Sequence, residues 1–438
     1  MSIKPSSRSE ALSRPAAGAN AGAVVEPAAG ASACAVESAA GASAGAVAPS
    51  ITLIVSLVLA TALGPLAMSS FIPAIPSIQA GFGAPTTTVQ LTLTVSILAM
   101  AICSLLYGAL ADRHGRRPVL LAGVALAIAG SIVCATAPSV HVVIAGRGLQ
   151  AAGATAGLVL SRVIVRDVYG DTRAASVLAY VTAAMAIAPL VGPIAGGYLI
   201  DYFDWRSVFV AVGVLAAMLL VLLWLRLPET RRAARPESAS SMIPAAEYGL
   251  LLRRFAYLRY VIYGSMLQGT FMAFIAGAPY IATNHFGMSA SAYGWHFMFA
   301  PIGYVIGSLI AGRFGGRWER ERLLSFGGVL AVLISGLGLW LAFQPSFTAW
   351  GFFLPMAVLS AVIGVVFPSA QVGLLVSAGE QSGAASGLFS FVQLSVGAGL
   401  AQLVGTILDH GPSAVSGTMA AVAGVALAAV LVRPKQGT

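Results

Sequence analysis

Long apolar runs separated by short polar gaps recur along the chain from residue 50 onwards. Each run holds at least about 18 residues, which lets a helix rising 1.5 Å per residue cross a hydrocarbon layer about 30 Å thick. Apolar length and helix breakers predict twelve transmembrane helices, at 51–73, 88–110, 119–138, 141–164, 174–200, 207–226, 259–283, 293–313, 323–344, 349–373, 383–408 and 414–433.

The longest polar stretch after residue 50 lies between the sixth and seventh runs and divides the chain in two. It predicts an all-α integral membrane protein with twelve transmembrane helices in two pseudo-symmetric six-helix bundles, 51–226 and 259–433, joined by a cytoplasmic linker at 227–258 and followed by a short tail at 434–438. A weak internal echo, GALADRHGRR after the second run and GSLIAGRFGGR at the end of the eighth, favours a duplicated architecture.

The first fifty residues are rich in alanine, glycine and serine, arranged in loose repeats such as AAGASAGAVAP. Such small side chains cannot build a core, so residues 1–50 are predicted to form a disordered cytoplasmic tail. The repeats lack the compact apolar run of a secretory signal peptide. An incorrectly assigned start codon ahead of the true protein is the alternative interpretation.

The amino-acid composition indicates whether water or lipid surrounds this chain. Charged residues make up 9% of its 438 residues and hydrophobic ones 58%, whereas soluble domains carry about 25% charged residues. A lipid bilayer is therefore the expected partner. The net charge of +9 does not indicate nucleic acid, because the arginines lie in short loops rather than along one face of a polar helix. The three cysteines lack metal-ligand spacing, so neither a metal nor another cofactor is expected.

The arginines are distributed unequally between the two sets of loops. They fall in the tail, the 2–3 loop, the 4–5 region, the central linker, the 8–9 loop and the C-terminus, whereas the opposite loops contain only Arg206. Because basic loops stay in the cytoplasm, this bias predicts that both termini are cytoplasmic.

A tight loop between the second and third runs concentrates polar and glycine residues. Asp112 is its one acid, and near lipid it is expected to pair with a neighbouring arginine or a helix N-terminus. Gly108 is expected to remove a side chain where the two helices end together, and Gly115 is expected to permit the turn of the chain. The loop residues predicted to control conformation are Gly108, Asp112, Arg113, Gly115, Arg116 and Arg117. The simpler interpretation is that these arginines only set topology.

Two further stretches place unusual residues inside apolar runs. Arg147 lies in the fourth run, where an arginine costs about 2.5–3.5 kcal/mol even on the lenient insertion scale, and it shares a helix face with Gln150. Alternatively, Arg147 snorkels to the outer membrane surface. In the fifth run, two prolines bend the helix and glycines four residues apart admit a neighbouring backbone: Pro189, Gly192, Pro193, Gly196 and Gly197.

The order of residues in the 2–3 loop resembles the signature loop of the major facilitator superfamily, where the acid and arginines form a charge relay that holds one conformation. Arg147 and Gln150 resemble the Arg-x-x-Gln-Gly element of its fourth helix, with Ala151 replacing the glycine. The Gly/Pro stretch resembles a motif of its drug exporters that seals the interface between the halves. LGPLAMSSFIPAIPSI, TTTVQLTLT, SRVIVRDVYG, DWRSVF and LPET resemble the bicyclomycin and chloramphenicol resistance (Bcr/CflA) branch of drug/proton antiporters.

One departure from that branch concerns substrate charge. The branch commonly carries an acid in the first helix, where this chain has Ser69. Every acid after the tail falls at a span end or in a loop, so neutral or weakly anionic amphiphiles are the expected substrates. The proton carrier is expected among Asp112, Asp167 and His296, the histidine having a structural role as its alternative. Polar, aromatic and methionine side chains that turn away from lipid are candidates to line the cavity: Met68, Ser69, Tyr180, Gln268, Met272, Tyr304, Gln371 and Gln393.

The leading hypothesis is a monomeric secondary transporter of the bacterial inner membrane that exports small amphipathic drugs, of the phenicol or bicyclomycin type, by proton antiport. A metabolite exporter or a proton symporter of the same fold is the alternative. An enzyme is not predicted, since the chain shows no catalytic constellation, and the Gly-rich phosphate loop needed for direct use of ATP is absent from the sequence.

Overall fold

The computed structural model describes residues 51–230, 245–314 and 317–432. The predicted disordered tail at 1–50, part of the linker at 231–244 and the C-terminal tail at 434–438 lie outside the described residues. Within these ranges the α-helices are Ile51–Phe71, Ile75–Phe82, Thr86–His114, Arg116–Ala135, Val140–Tyr202, Trp205–Arg226, Ala245–Arg253, Phe255–Tyr280, Ala290–Phe297, Phe299–Phe314, Arg320–Ala342, Ala349–Ala378, Ser382–Ile407 and Pro412–Leu431.

The described residues contain twelve helical stretches long and apolar enough to cross a membrane, which confirms the predicted number. We number them spans 1 to 12: Ile51–Phe82, Thr86–His114, Arg116–Ala135, Val140–Tyr169, Tyr180–Tyr202, Trp205–Arg226, Phe255–His285, Ala290–Phe314, Arg320–Ala342, Ala349–Ala378, Gly383–His410 and Pro412–Leu431. Spans 1 to 6 are called the first half below and spans 7 to 12 the second half.

Spans 4 and 5 differ from the prediction because they belong to one continuous helix, Val140–Tyr202. The polar residues around position 170 indicated a loop, yet a polar sequence without helix-breaking proline can remain helical outside the lipid. Hydropathy therefore located the membrane boundary rather than the end of the helix. A second difference is the short helix Ala245–Arg253, which forms within the predicted linker.

Each half builds much of its own hydrophobic core. In the first half, small and aliphatic side chains such as Leu57, Ala60 and Leu160 are fully buried together. In the second half an aromatic group packs around Phe274, whose ring centroid lies 5.2 Å from that of Phe352. Ile72 of span 1 is buried in this second-half core, so the two halves also pack directly against each other.

The helices place the loops at two opposite ends. The loop between spans 2 and 3 and the loop between spans 8 and 9 share one end, which we call the arginine-rich end. The loops at 83–85, 203–204 and 286–289 share the other, which we call the arginine-poor end. Which end faces the cytoplasm stays a prediction from the loop charges.

Candidate functional site

The 2–3 loop at the arginine-rich end turns at Gly115, whose φ of 97° favours glycine. The turn exposes the first backbone N–H groups of span 3, and the Glu229 carboxylate accepts hydrogen bonds from Arg116 N at 3.0 Å and Arg117 N at 3.3 Å. A carboxylate at a helix N-terminus satisfies unpaired donors and the helix dipole. A side chain at position 115 would also meet Glu229 Oε2 at 2.6 Å. The predicted need for glycine at this turn is confirmed.

The Arg116 side chain pairs with two acids, Asp112 and Asp167. Its Nη2 lies 3.2 Å from Asp112 Oδ1, and its Nε lies 2.9 Å from Asp167 Oδ2 at the end of span 4. The Asp112 side chain is 71% exposed, whereas that of Asp167 is 20% exposed. Arg116 therefore pairs with Asp112, as the sequence predicted, and also fastens spans 2, 3 and 4 together.

The remaining loop residues have different surroundings. Arg117 Nη2 donates to the Trp224 carbonyl at 2.8 Å, which ties the loop to span 6, and Arg113 is exposed. The predicted packing reason for Gly108 is wrong, because a Cβ atom at this position would have no neighbour within 4 Å among residues 51–230, 245–314 and 317–432.

Arg147 is fully enclosed near the arginine-poor end of span 4. It is 1% exposed, so the interpretation that it snorkels to the membrane surface is wrong. Its Nη1 donates to Gln150 Oε1 at 2.6 Å, its Nη2 lies 3.2 Å from the sulfur of Met68, and its Cζ lies 4.2 Å from the centre of the Phe71 ring. Gln150 in turn donates to Ser131 Oγ at 2.8 Å. The guanidinium thus links spans 1, 3 and 4.

The Gly/Pro stretch of span 5 makes close backbone contacts with span 1. A Cβ atom at Gly192 would overlap Ser69 Oγ, and one at Gly196 would overlap the Ser70 carbonyl oxygen. Ser69 is 4% exposed and donates to the Ala188 carbonyl at 3.1 Å. The glycines therefore have the close-approach role that the sequence predicted, and Ser69 belongs to this packed contact.

The next glycine along span 5 brings the two halves together. A Cβ atom at Gly197 would overlap the Ala290 carbonyl oxygen at the start of span 8, and one at Gly294 of span 8 would lie 2.5 Å from the Pro193 carbonyl oxygen. The Asp201 carboxylate then accepts hydrogen bonds from Ala290 N at 3.0 Å and Ser291 N at 2.9 Å. An acid of the first half thus caps a helix of the second half.

Other hydrogen bonds join the halves at the same end. Gln402 of span 11 donates to the Thr87 carbonyl at 3.1 Å, and Thr94 lies 3.2 Å from Gln402 Oε1. Trp295 Nε1 of span 8 donates to the Tyr198 hydroxyl at 3.2 Å. Spans 2 and 11 and spans 5 and 8 therefore close the arginine-poor end.

The residues predicted to line a substrate cavity lie in different surroundings. Tyr180 is 61% exposed, Gln371 is exposed, and Gln268, Met272, Tyr304 and Gln393 are partly buried. Met68 contacts Arg147, as described above. His296 lies at the end of the helix Ala290–Phe297, with its Nδ1 2.8 Å from the Ala292 carbonyl oxygen and its ring centroid 4.7 Å from that of Trp350. The role of these residues as a shared cavity stays a prediction.

A buried charged cluster in the second half was missed by the sequence reasoning. Arg259 of span 7 is 6% exposed and donates to Glu321 Oε1 of span 9 at 2.5 Å, and the Tyr260 hydroxyl donates to the same oxygen at 2.6 Å. The sequence places Arg259 at the border of the linker, where an arginine indicates only topology. A signal was nevertheless available, since Arg259 and Tyr260 begin the seventh apolar run.

The twelve spans define a multi-pass membrane protein, and spans 5 and 8 bring its two halves into close contact. The solved structure of a D-xylose-proton symporter has the same fold, with a TM-score of 0.71 at 15% sequence identity over 87% of this chain and 96% of that chain. The sequence profile of the Major Facilitator Superfamily matches residues 57–402 and 276–436.

The chain belongs to the major facilitator superfamily, and its relatives place it in the Bcr/CflA-type branch. It is 30% identical to a chloramphenicol resistance protein of Pseudomonas aeruginosa over 72% of this chain and 74% of the relative. It is 26% identical to a bicyclomycin resistance protein homolog of Haemophilus influenzae over 81% of this chain and 89% of the relative. The predicted fold and family are confirmed.

Proposed function

We propose that this protein exports small amphipathic drugs, of the phenicol or bicyclomycin type, across the bacterial inner membrane by proton antiport with alternating access. The proposal includes a monomeric transporter with both termini in the cytoplasm. The names of its relatives, which are chloramphenicol, bicyclomycin and multidrug resistance proteins, support drug export.

The packing of the span 5 glycines carries this proposal. Gly192 and Gly196 bring span 5 onto span 1, and Gly197 brings it onto span 8 of the other half. The positive-inside rule assigns the arginine-poor end to the outer surface of the membrane. The contact then closes the outer side, which corresponds to the stage of an export cycle in which a substrate enters from the cytoplasm.

The charges of the spans indicate which substrates fit. Among the described residues, acids that fall within a span lie near its ends, as Asp112, Asp201 and Glu321 do. The buried Arg147 supplies positive charge instead, and its Nε finds no hydrogen-bond partner within the part of the chain that the structure describes. An organic cation would lack a countercharge in such an interior, so neutral or weakly anionic amphiphiles are the substrates that we propose.

For the proton, the candidates Asp112, Asp167 and His296 differ in their surroundings. Asp112 and Asp167 share Arg116, and Asp167 is the less exposed of these two acids. Protonation of either carboxylate would weaken its pair with Arg116. We therefore favour the Asp112–Arg116–Asp167 group over His296, which packs against aromatic rings of the second half.

A resistance panel tests the function. The chain is expressed in an efflux-deficient bacterium, and growth is measured with neutral phenicols, bicyclomycin and quaternary ammonium dyes, with and without a protonophore. We expect protection against the neutral compounds that the protonophore abolishes. Protection against the dyes alone would contradict the proposed substrate charge.

Flux in inverted vesicles separates export from the alternative of uptake. When the lumen of the vesicles is acidified, an antiporter moves protons out and accumulates substrate inside. Added substrate should therefore increase the release of protons to the outside. Efflux of preloaded substrate together with protons would instead indicate a symporter.

A further inference from the structure

A groove of about 670 Å³ lies on the outer face of the second half, between spans 9 and 10 at the arginine-rich end. Its walls are apolar, with Leu323, Phe326 and Leu330 from span 9 and Val362 and Val365 from span 10. Gly327 brings the two spans together at its floor, since a Cβ atom there would overlap Val366. The groove is thus a built feature of the contact between these spans.

The groove opens toward lipid rather than toward the contact between the halves. Phe326, Leu333 and Leu337 of span 9 are 64%, 62% and 49% exposed. Their spacing of seven and four residues places them on one helical face. In a membrane-spanning helix, an exposed apolar stripe of this kind faces the acyl chains. The groove continues this stripe, so its natural content is a hydrocarbon chain.

The mouth of the groove carries charge. Arg317, Arg322 and Glu319 line it, and together they give a net charge of +1. Glu319 Oε2 lies 2.6 Å from Arg322 Nε, but the Arg322 side chain is 85% exposed, so water weakens this pair. The other acid of this loop region, Glu321, pairs with the buried Arg259 and is not among the residues that line the groove.

An aromatic side chain completes the mouth. Trp318 lines the groove and stacks on Phe314 with ring centroids 6.2 Å apart. Tryptophan is enriched at the level of the lipid headgroups, and its indole N–H is a hydrogen-bond donor. Guanidinium and indole groups above an apolar wall match a molecule with an anionic head and a hydrocarbon tail.

We propose that this groove binds one anionic glycerophospholipid, with its phosphate between Arg317 and Arg322 and an acyl chain along spans 9 and 10. Basic pockets between transmembrane helices are known to select anionic headgroups. A zwitterionic lipid fits the wall but leaves the mouth with its positive charge. Inorganic phosphate fits the mouth but gains nothing from the wall.

Native mass spectrometry of the purified full-length protein, titrated with phosphatidylglycerol or phosphatidylcholine, tests the proposal. We expect one phosphatidylglycerol to be retained in preference to phosphatidylcholine. Arg317→Ala with Arg322→Ala should weaken retention by roughly fivefold for each arginine. Glu319→Gln should strengthen it, because Glu319 is the one acid among the described residues that line the mouth. The matched control is Arg162→Ala, an exposed arginine of span 4 that does not line the groove.

Leu330→Trp separates a lipid from a free anion, since it fills the wall and leaves the mouth unchanged. It should abolish retention of phosphatidylglycerol, and it serves as the second variant if the double arginine variant does not fold. The proposal is overturned if both lipids are retained equally, if inorganic phosphate competes fully, or if the groove is instead covered by a second copy in a dimer.

Discussion

The two ends of the molecule are held by different kinds of contact. At the arginine-poor end, Gly197 and Asp201 of the first half contact the backbone of Ala290 and Ser291 in the second half. At the arginine-rich end, Arg116 pairs with Asp112 and Asp167, all within the first half. The first set of contacts holds two halves together, whereas the second organises one half.

This difference indicates how the two ends respond to change. Close backbone contacts depend on the absence of a side chain, so one added methyl group disrupts them. Ion pairs near water contribute little each and tolerate substitution. We therefore expect substitutions at the arginine-poor end to alter the relation between the halves, and substitutions at the arginine-rich end to alter mainly the stability of the first half.

The largest effect is expected for Gly197→Val. The new side chain would overlap the Ala290 carbonyl oxygen, and overpacking costs about 1–3 kcal/mol, which is roughly a five- to 150-fold shift toward separation. A cysteine at Ile72, which is 2% exposed in the second-half core, reports this opening through labelling by a membrane-impermeant maleimide. All variants in this assay are made in a parent protein whose natural cysteines have been replaced.

Gly424→Val in span 12 is the control, because a Cβ atom there would have no described residue of another part of the chain within 4 Å. It should leave labelling and drug resistance as they are in the parent. If Gly197→Val also left Ile72 protected and transport intact, the close contact between spans 5 and 8 would not be what closes this end.

A smaller effect is expected for Asp201→Ala. The change removes the acceptor for two N–H groups at the start of span 8, and loss of a helix cap costs about 0.5–2 kcal/mol. Labelling at position 72 should rise by roughly two- to thirtyfold, and Asp201→Asn, which keeps one acceptor oxygen, should give an intermediate value.

Asp204→Ala provides the matched comparison. Asp204 also caps a helix, through Arg206 N at 3.2 Å, but this helix belongs to the same half. Its loss should lower stability without raising the labelling at position 72. Equal labelling of the two variants would show that capping across the halves has no special effect.

The features that could be predicted from the sequence are those that the lipid bilayer imposes on any chain that crosses it. A span must be apolar for about 20 residues, so the number of helices can be counted from hydropathy. The close approach at Gly192 and Gly196 could be predicted because glycines four apart on a helix have few other uses in a membrane. The pairing of Arg147 with Gln150 could also be predicted, since residues three apart share a helix face.

Contacts between distant parts of the chain could not be predicted in this way. The cap that Asp201 provides joins residues about ninety positions apart, and no periodicity relates them. Ser69 could be matched to an acid of related chains, but its burial against Ala188 depends on how span 5 crosses span 1. The continuous helix Val140–Tyr202 was missed because hydropathy ends where lipid ends, while helical hydrogen bonding continues.

The smallest effects are expected at the arginine-rich end, for Asp167→Asn and Asp112→Asn. Both weaken a pair with Arg116, but the Asp167 side chain is 20% exposed and that of Asp112 71%. Water screens the more exposed pair, so Asp167→Asn should lower the Tm of the purified protein more than Asp112→Asn, with a cost of about 1 kcal/mol or less.

Neither substitution should expose a cysteine at position 72, because the pairs that it breaks lie within one half. The family resemblance implies that the Asp112 relay holds one arrangement of the halves. If that arrangement is the outward-open one, loss of the relay would favour the state described here and would lower this labelling further. Increased labelling in Asp112→Asn would show instead that the charges of the 2–3 loop help to keep the arginine-poor end closed, and the contrast between the two ends would then fail.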